Sequence, residues 1–342
     1  MQDLSDSRIL ITGGAGLVGS HIADRLAAED VGEVVVLDNF VRGRMENLSE
    51  AQKSLRKLTV IDGDITNPAT VKSAMRGIDY VFHQAALRIT QCAEMPRMAI
   101  DSLIGGTFNV LEAAVDAGVK KVVAASSASV YGEPSYVPMD EGHPFNNRTL
   151  YGACKVADEQ ILRSFNDMYG LPYVALRYFN IYGPRMDIFG VYTEVMIRWL
   201  QRLERGEAPV IFGDGMQTMD FVYIEDVADA NVKAMRSNAN DEVYNVATGV
   251  ETSLRQLCRQ LCDASGNPRM EPVFEPVRKV NPVTRRLAAV DFARNGIGFS
   301  AQTPLDEVLR ALVRWHAGIT RGERDAERAA QQQQRELVGA AQ

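Results

Sequence analysis

Tyr151-Gly-Ala-Cys-Lys155 sets a phenol and an ammonium four residues apart. On a helix that spacing puts both side chains on one face. A free phenol titrates at about 10 and is a poor base at neutral pH. A neighbouring ammonium favours the phenolate, and so does the positive ring of an oxidised nicotinamide. Such a tyrosine can take a proton from a substrate hydroxyl, or return it, while a hydride moves. Upstream, Ser126-Ser-Ala-Ser-Val-Tyr-Gly132 closes a β-branched run, where a hydroxyl could hydrogen-bond the reacting oxygen. Each signal has a plainer alternative, since Tyr-x-x-x-Lys pairs arise by chance in helices and serine-rich strand ends are usually turns.

A second group could hold phosphate. Thr12-Gly-Gly-Ala-Gly-Leu-Val-Gly19 follows an apolar run and opens a helical pattern, with Gly13, Gly16 and Gly19 at three-residue spacing. Glycines let backbone N–H groups approach a pyrophosphate, and a helix N-terminus favours its charge. Asp38 ends the next apolar run, about 20 residues on, where a carboxylate meets the ribose hydroxyls of NAD and repels the 2′-phosphate of NADP. Arg42 and Arg44 are nearby but fall beyond the strand end.

The surrounding pattern must position these groups. Arg8–Thr12, Glu33–Asp38, Leu58–Asp62, Tyr80–His83, Lys121–Ser126 and Pro172–Tyr178 read as strands, several continuously apolar as in buried parallel sheets. Helical patterns separate them at Leu17–Glu29, Pro68–Arg76, Ile100–Ala117 and Thr149–Tyr169, the last two ending at Gly118 and Gly170. The alternation predicts an α/β fold, a Rossmann-type doubly wound parallel sheet. Beyond 180 the pattern loosens: helices are expected over Val191–Glu204, Glu225–Ser237, Ser253–Ser265 and Pro304–His316, and a strand over Pro209–Phe212. This predicts a smaller C-terminal α+β substrate domain. The expected divisions are 1–179 for the NAD-binding domain, with 219–248 returning to it, 180–218 and 249–318 for the substrate domain, and 319–342 as a polar tail.

Composition removes other classes. With 37 basic and 44 acidic residues the net charge is −7, unsuited to non-specific nucleic-acid binding. No apolar run of the ~20 residues needed to span a membrane, and no signal peptide, is expected. Cys92, Cys154, Cys258 and Cys262 form no Cys-x-x-Cys pair and no metal-ligand spacing, so reduced thiols in a cytoplasmic protein and no metal are expected.

Taken in order, the glycine turn, Leu37-Asp-Asn39, Gly63-Asp-Ile65, His83-Gln-Ala-Ala86, Ser126–Gly132, Tyr151–Lys155, Leu176-Arg-Tyr-Phe-Asn-Ile-Tyr-Gly-Pro-Arg185 and Phe212-Gly-Asp-Gly-Met-Gln-Thr218 resemble the extended short-chain dehydrogenase/reductase family, in its NAD-dependent nucleotide-sugar epimerase/dehydratase group. The resemblance covers roughly 8–317. It implies that Ser127, Tyr151 and Lys155 are catalytic. It implies NAD contacts from Gly13, Gly16, Leu17, Val18, Gly19, Asp38, Asn39, Asp64, Ile65, Gln84, Ala85, Ala86, Arg88, Tyr151, Lys155 and Tyr178. It implies substrate contacts from Ser127, Ser129, Asn180, Tyr192, Phe212 and Arg278.

Members of this group oxidise a sugar at C4. In their 4,6-dehydratases Asp-Glu typically follows the catalytic Ser/Thr, and in their decarboxylases Glu commonly does. Here Ala128 and Ser129 stand there. The resemblance therefore implies a nucleotide-sugar 4-epimerase, on a UDP-hexose or UDP-hexuronate, with a net oxidoreductase or another 4-keto-sugar enzyme as the alternative and a non-catalytic NAD-binding protein as a remote one. Two departures bear on the substrate. Met219 replaces an Arg that grips the diphosphate, which Arg278, Lys279, Arg285 or Arg286 would have to replace, and Leu103 replaces a frequent Asn. Relatives commonly dimerise through helices matching Ile100–Ala117 and Thr149–Tyr169, so a homodimer is expected.

Overall fold

The computed structural model describes residues 2–188, 194–277 and 283–320. Its strands, in chain order, are β1 (Arg8–Thr12), β2 (Glu33–Asp38), β3 (Leu58–Asp62), β4 (Tyr80–His83), β5 (Lys121–Ser127), β6 (Tyr173–Tyr178), β7 (Asn180–Tyr182), β8 (Val210–Phe212), β9 (Thr218–Tyr223), β10 (Glu242–Val246), β11 (Glu251–Ser253) and β12 (Val273–Glu275). Seven of them form one sheet in the order β10-β6-β5-β4-β1-β2-β3. Every neighbouring pair in it is parallel. The chain builds outward from β1 to β3, then crosses back to lay β4 beside β1. That reversal opens a crevice at the carboxyl ends of β1 and β4, where doubly wound sheets take ligands.

The continuous apolar runs are explained by packing on both faces. Ile9 and Ile11 of β1, with Val34 and Val36 of β2, share a core layer with Ile22, Leu26 and Val227. Their neighbours Leu10 and Val35, with Val81 and Val122, pack in the opposite layer with Val71, Val110 and Leu162. Side chains alternate across a strand, so both sets must be apolar.

The long helix is Leu150–Tyr169; Thr149 is its N-cap, with Oγ1 accepting from the Gly152 N–H at 3.1 Å, and Gly170 ends it at φ +67°. The helix expected from Ile100 begins earlier. Pro96–Ala117 is one helical run of 22 residues with a π turn at Ile100–Gly105 and mean hydropathy 1.2, which by length and composition could cross a membrane. No such run was expected from the sequence. In the fold its Leu103, Val110, Leu111 and Ala114 are buried, and Gly106 packs against Ile65.

The C-terminal portion is a smaller α+β arrangement. β7, β9 and β11 form a three-stranded sheet, and β12 pairs with β8. Helices Val195–Glu204, Ile224–Arg236 and Leu254–Ala264 match the sequence pattern within a few residues, except that 191–193 lie outside the described residues. The last helix spans 305–320. Of these strands the sequence marks β8 but not β7, β9, β11 or β12, three of which have three residues and too little alternation to show a period. β10 was not marked either, because its Asn245 is spent internally: it accepts from the Tyr131 hydroxyl at 2.6 Å and donates to Met139 O at 3.0 Å.

Candidate active site

The chain leaves β1 through Gly13 at φ +67°. A Cβ there would lie 2.7 Å from Ala85 N, and one on Gly19 would lie 2.4 Å from the Gly13 carbonyl oxygen. Both obstacles are backbone, which cannot swing aside, so the turn stays bare. The helix Leu17–Leu26 starts from Gly16, so Leu17 and Val18 sit in its first turn. Exposed backbone at a helix N-terminus beside a topological reversal fits a dinucleotide pyrophosphate.

Asp38 closes β2 over this turn. Its Oδ2 accepts from Ala15 N and its Oδ1 from Phe40 N, both at 2.9 Å. Burial pushes its pKa up, against those two N–H groups and Arg42. A carboxylate has about four acceptor positions, so some remain for ribose hydroxyls. Asn39 donates to Asp64 Oδ2 at 2.8 Å, joining two positions expected near the adenosine, and Ile65 is buried beside them. Arg42 turns toward Asp187 at 3.5 Å, and Arg88 pairs with Glu194 at 3.3 Å. These acids come from the chain after β7.

At the end of β4, Gln84 bonds through its backbone N–H to Thr12 O, with Ala85 and Ala86 following. The Tyr178 hydroxyl is shared between Gln84 Oε1 at 3.0 Å and Asn231 Oδ1 at 2.9 Å. Burial raises the Tyr178 pKa. Tyr178 therefore lends the site a ring fixed at its polar end. Asn231 was not recognised in the sequence; its signal is a fully buried amide within the apolar face of Ile224–Arg236. His83 bridges Thr12 Oγ1 at 2.7 Å and Thr107 Oγ1 at 2.9 Å.

Ser127 ends β5 directly opposite Tyr178 of β6. Its Oγ accepts from the Ser129 N–H at 3.1 Å, which leaves its own O–H to point elsewhere. Ser129 and Ala128 are buried in a single 3₁₀ turn. Tyr151 lies in the first turn of Leu150–Tyr169 and Lys155 one turn on. Lys155 Nζ donates to Ala125 O and to Asp158 Oδ2, each at 3.0 Å. Burial alone would depress Lys155, but Asp158 and Tyr151 outweigh it and its pKa is raised. The charge stays on the lysine.

One residue further along the helix, Glu159 holds Arg177 of β6 through bonds of 2.9 and 2.8 Å. Glu159 also accepts from the Ser126 hydroxyl. Arg177 reaches Tyr131 and the Glu141 carbonyl, each at 2.9 Å. This buried network locks the end of β5 to the helix that carries Tyr151 and Lys155. The sequence reading did not find it, nor Asp158; adjacent acids just after Lys155 were the available signal.

On the substrate side, Asn180 donates to the Asp220 carbonyl at 3.1 Å. The Asp220 carboxylate is fully buried and ties Thr248 and Gly249 to β9. Gln217 donates to the Phe212 carbonyl at 2.9 Å. Met219 sits on β9, opposite Thr252 of β11. Of the cations expected to replace an Arg there, Arg285 is held by Glu251 at 2.6 and 2.8 Å. Arg286 is buried; burial brings its pKa down to about 10, against the pull of Tyr151 and Glu133. Tyr192, Arg278 and Lys279 lie outside the described residues.

The comparisons agree with this geometry. The NAD dependent epimerase/dehydratase family matches residues 9–247, and the chain belongs to that family of enzymes. A UDP-glucose 4-epimerase of Mycolicibacterium smegmatis is 37% identical over 90% of this chain and 97% of its own. Two solved structures, each 33% identical, cover 92% of this chain and 99% of their own. They are a UDP-N-acetylglucosamine 4-epimerase of Methanobrevibacter ruminantium in complex with UDP-N-acetylmuramic acid, at a TM-score of 0.86, and a UDP-glucose 4-epimerase of Thermotoga maritima with UDP-glucose, at 0.85.

Proposed function

We propose that this enzyme is a UDP-sugar 4-epimerase. The observation that carries the reading is the turn after β5. Ser127 stands beside Tyr178 and is followed by Ala128 and Ser129, neither of which carries a titratable side chain. A dehydration or decarboxylation needs an acid or base there to move a proton at C5 or C6. Without one, the chemistry that remains is oxidation and reduction at C4.

The glycine turn and Asp38 would hold NAD by its pyrophosphate and adenosine ribose. Bound there, NAD would supply the hydride chemistry at C4. Tyr151 takes the proton of the C4 hydroxyl as the ketone forms and gives it back afterwards. Lys155 holds its positive charge beneath Tyr151, favouring the phenolate, and would meet the nicotinamide ribose. Ser127 orients the C4 oxygen. Asn180, Phe212, Tyr192 and Arg278 would hold the nucleotide end while the 4-keto sugar turns over. On this reading 1–179 with 219–248 forms the NAD unit, and 180–218 with 249–318 the substrate unit.

We further propose a cytoplasmic homodimer. Phe108, Phe165 and Tyr169 form an aromatic cluster across the two expected helices, with ring centroids 5.5 and 5.2 Å apart. Phe108 is 45% and Tyr169 54% exposed, and light scattering on the eluting protein should give twice the chain mass.

The test is proton NMR of the protein with NAD and single UDP sugars of gluco and galacto configuration, their N-acetyl and uronic-acid forms included. A C4-inverted product at constant NADH supports the proposal. A persistent 4-keto product, or steadily accumulating NADH, overturns it in favour of net oxidoreduction.

A further inference from the structure

We propose that Asp158 is a positioning residue of the reaction, its carboxylate fixing the Lys155 ammonium and keeping it charged beside Tyr151. The inference rests on Tyr151 and Lys155 being the acid/base pair. Tyr151, Lys155 and Asp158 follow one another at intervals of four and three residues, a single stripe of Leu150–Tyr169. Lys155 Nζ lies 3.0 Å from Asp158 Oδ2, and the two side chains are only 3% and 5% exposed. The second fixed partner is Ala125 O, two residues before Ser127. An ammonium has three N–H groups, so two held bonds leave one and set its direction.

The carboxylate is buried among groups that favour its charge. Burial pushes the Asp158 pKa up, while Lys155 and the Thr107 hydroxyl, which also meets His83 Nε2 at 2.9 Å, favour its ionised form. A buried ion pair seldom stabilises more than well-packed apolar residues would, so one set on the Tyr151 stripe points to another use. Its effect is electrostatic. With Asp158 ionised, the buried Lys155 keeps its charge beside Tyr151. Remove that anion and burial depresses the ammonium, so the phenol loses part of its cation.

The other groups facing this trio come from every neighbouring element. Cys154 and Glu159 share the helix, Thr107 and His83 stand on the β4 side, and Cys92 approaches from the helix before Met95. Tyr178 of β6 and Arg286 face Tyr151. None of these changes in Asp158→Asn.

The experiment is an ultraviolet titration of the NAD-bound enzyme, in which subtracting the Tyr151→Phe trace isolates the Tyr151 phenolate. Asp158→Asn should move its midpoint up by on the order of one pH unit, and the acid limb of kcat by the same amount. Asp158→Glu, which keeps the charge, should stay near the wild-type midpoint. If Asp158→Asn does not fold, Asp158→Ser also removes the charge and should show the upward shift. An unmoved midpoint in the charge-free variant, whatever happens to Tm, overturns the proposal. The titration needs no sugar, so a protein that shows the shift yet inverts no UDP sugar overturns the proposed function and leaves this inference standing.

Discussion

His83 gives the fold a measurable sensitivity to acid. It is fully buried between Thr12 and Thr107, and burial, with the charge of Lys155 second, pushes its pKa from 6.5 to about 3. An unfolded histidine keeps its ordinary value. Between those two values the unfolded chain binds one proton more than the folded one, so stability rises with pH and falls as the solution is acidified. One proton corresponds to ~1.4 kcal/mol per pH unit. From pH 6.5 down to 5 the cost of keeping His83 neutral is therefore about 2 kcal/mol. His21, pushed down to about 4 by burial and then by Arg185, adds a parallel loss, so the wild type alone does not isolate His83. The comparison is urea unfolding of wild type and His83→Asn at pH 7 and pH 5, at one NAD concentration. Asparagine offers one donor and one acceptor to the two threonines but has no proton to gain. The wild type should lose about 2 kcal/mol more than the variant on going to pH 5. Equal losses in the two proteins would refute the reasoning, because His83 would then titrate alike folded and unfolded.

Other perturbations test the site directly. Gly19→Ala places a methyl 2.4 Å from the Gly13 carbonyl oxygen and should weaken NAD about tenfold or more by calorimetry, with the far-ultraviolet circular dichroism unchanged. Tyr151→Phe should keep NAD and lose turnover at least ~100-fold, since general acid/base groups contribute on the order of 10²–10⁴; unchanged turnover removes Tyr151 from the mechanism. Glu159→Gln strands the Arg177 guanidinium in a site where both side chains are under 5% exposed, at a cost of about 3–5 kcal/mol in urea unfolding. The paired change Glu159→Leu with Arg177→Met should recover much of that loss, and strict additivity would show that the two do not act as a pair.

How much of this could be read from the sequence follows from what each residue must satisfy. Gly13 and Gly19 are legible because their requirement is local: the chain turns tightly and backbone approaches backbone, so only glycine serves. Asp38 is legible because β2 runs apolar until its last residue. Tyr151 and Lys155 are legible because four residues on a helix is a fixed geometry. Asn231, Asp158 and Glu159 answer instead to partners fifty or more residues away, or to a face whose burial depends on how the helix lies. A carboxylate in a helix reads as solvent-exposed until the helix is laid across β5 and β6, which turns Asp158 toward Lys155 and Glu159 toward Arg177. The same limit applies to Met219. The sequence shows that an expected Arg is missing, but β9 and β11 must pair before it is clear that Glu251 holds Arg285 and that Arg286 is the buried cation acting on Tyr151. The parts of the site that hold the cofactor are therefore written in short motifs, whereas the parts that set the charge around the reacting oxygen are written in the topology. A substitution at Asp158 or Arg286 should accordingly alter pH dependence or substrate choice while leaving every family motif intact.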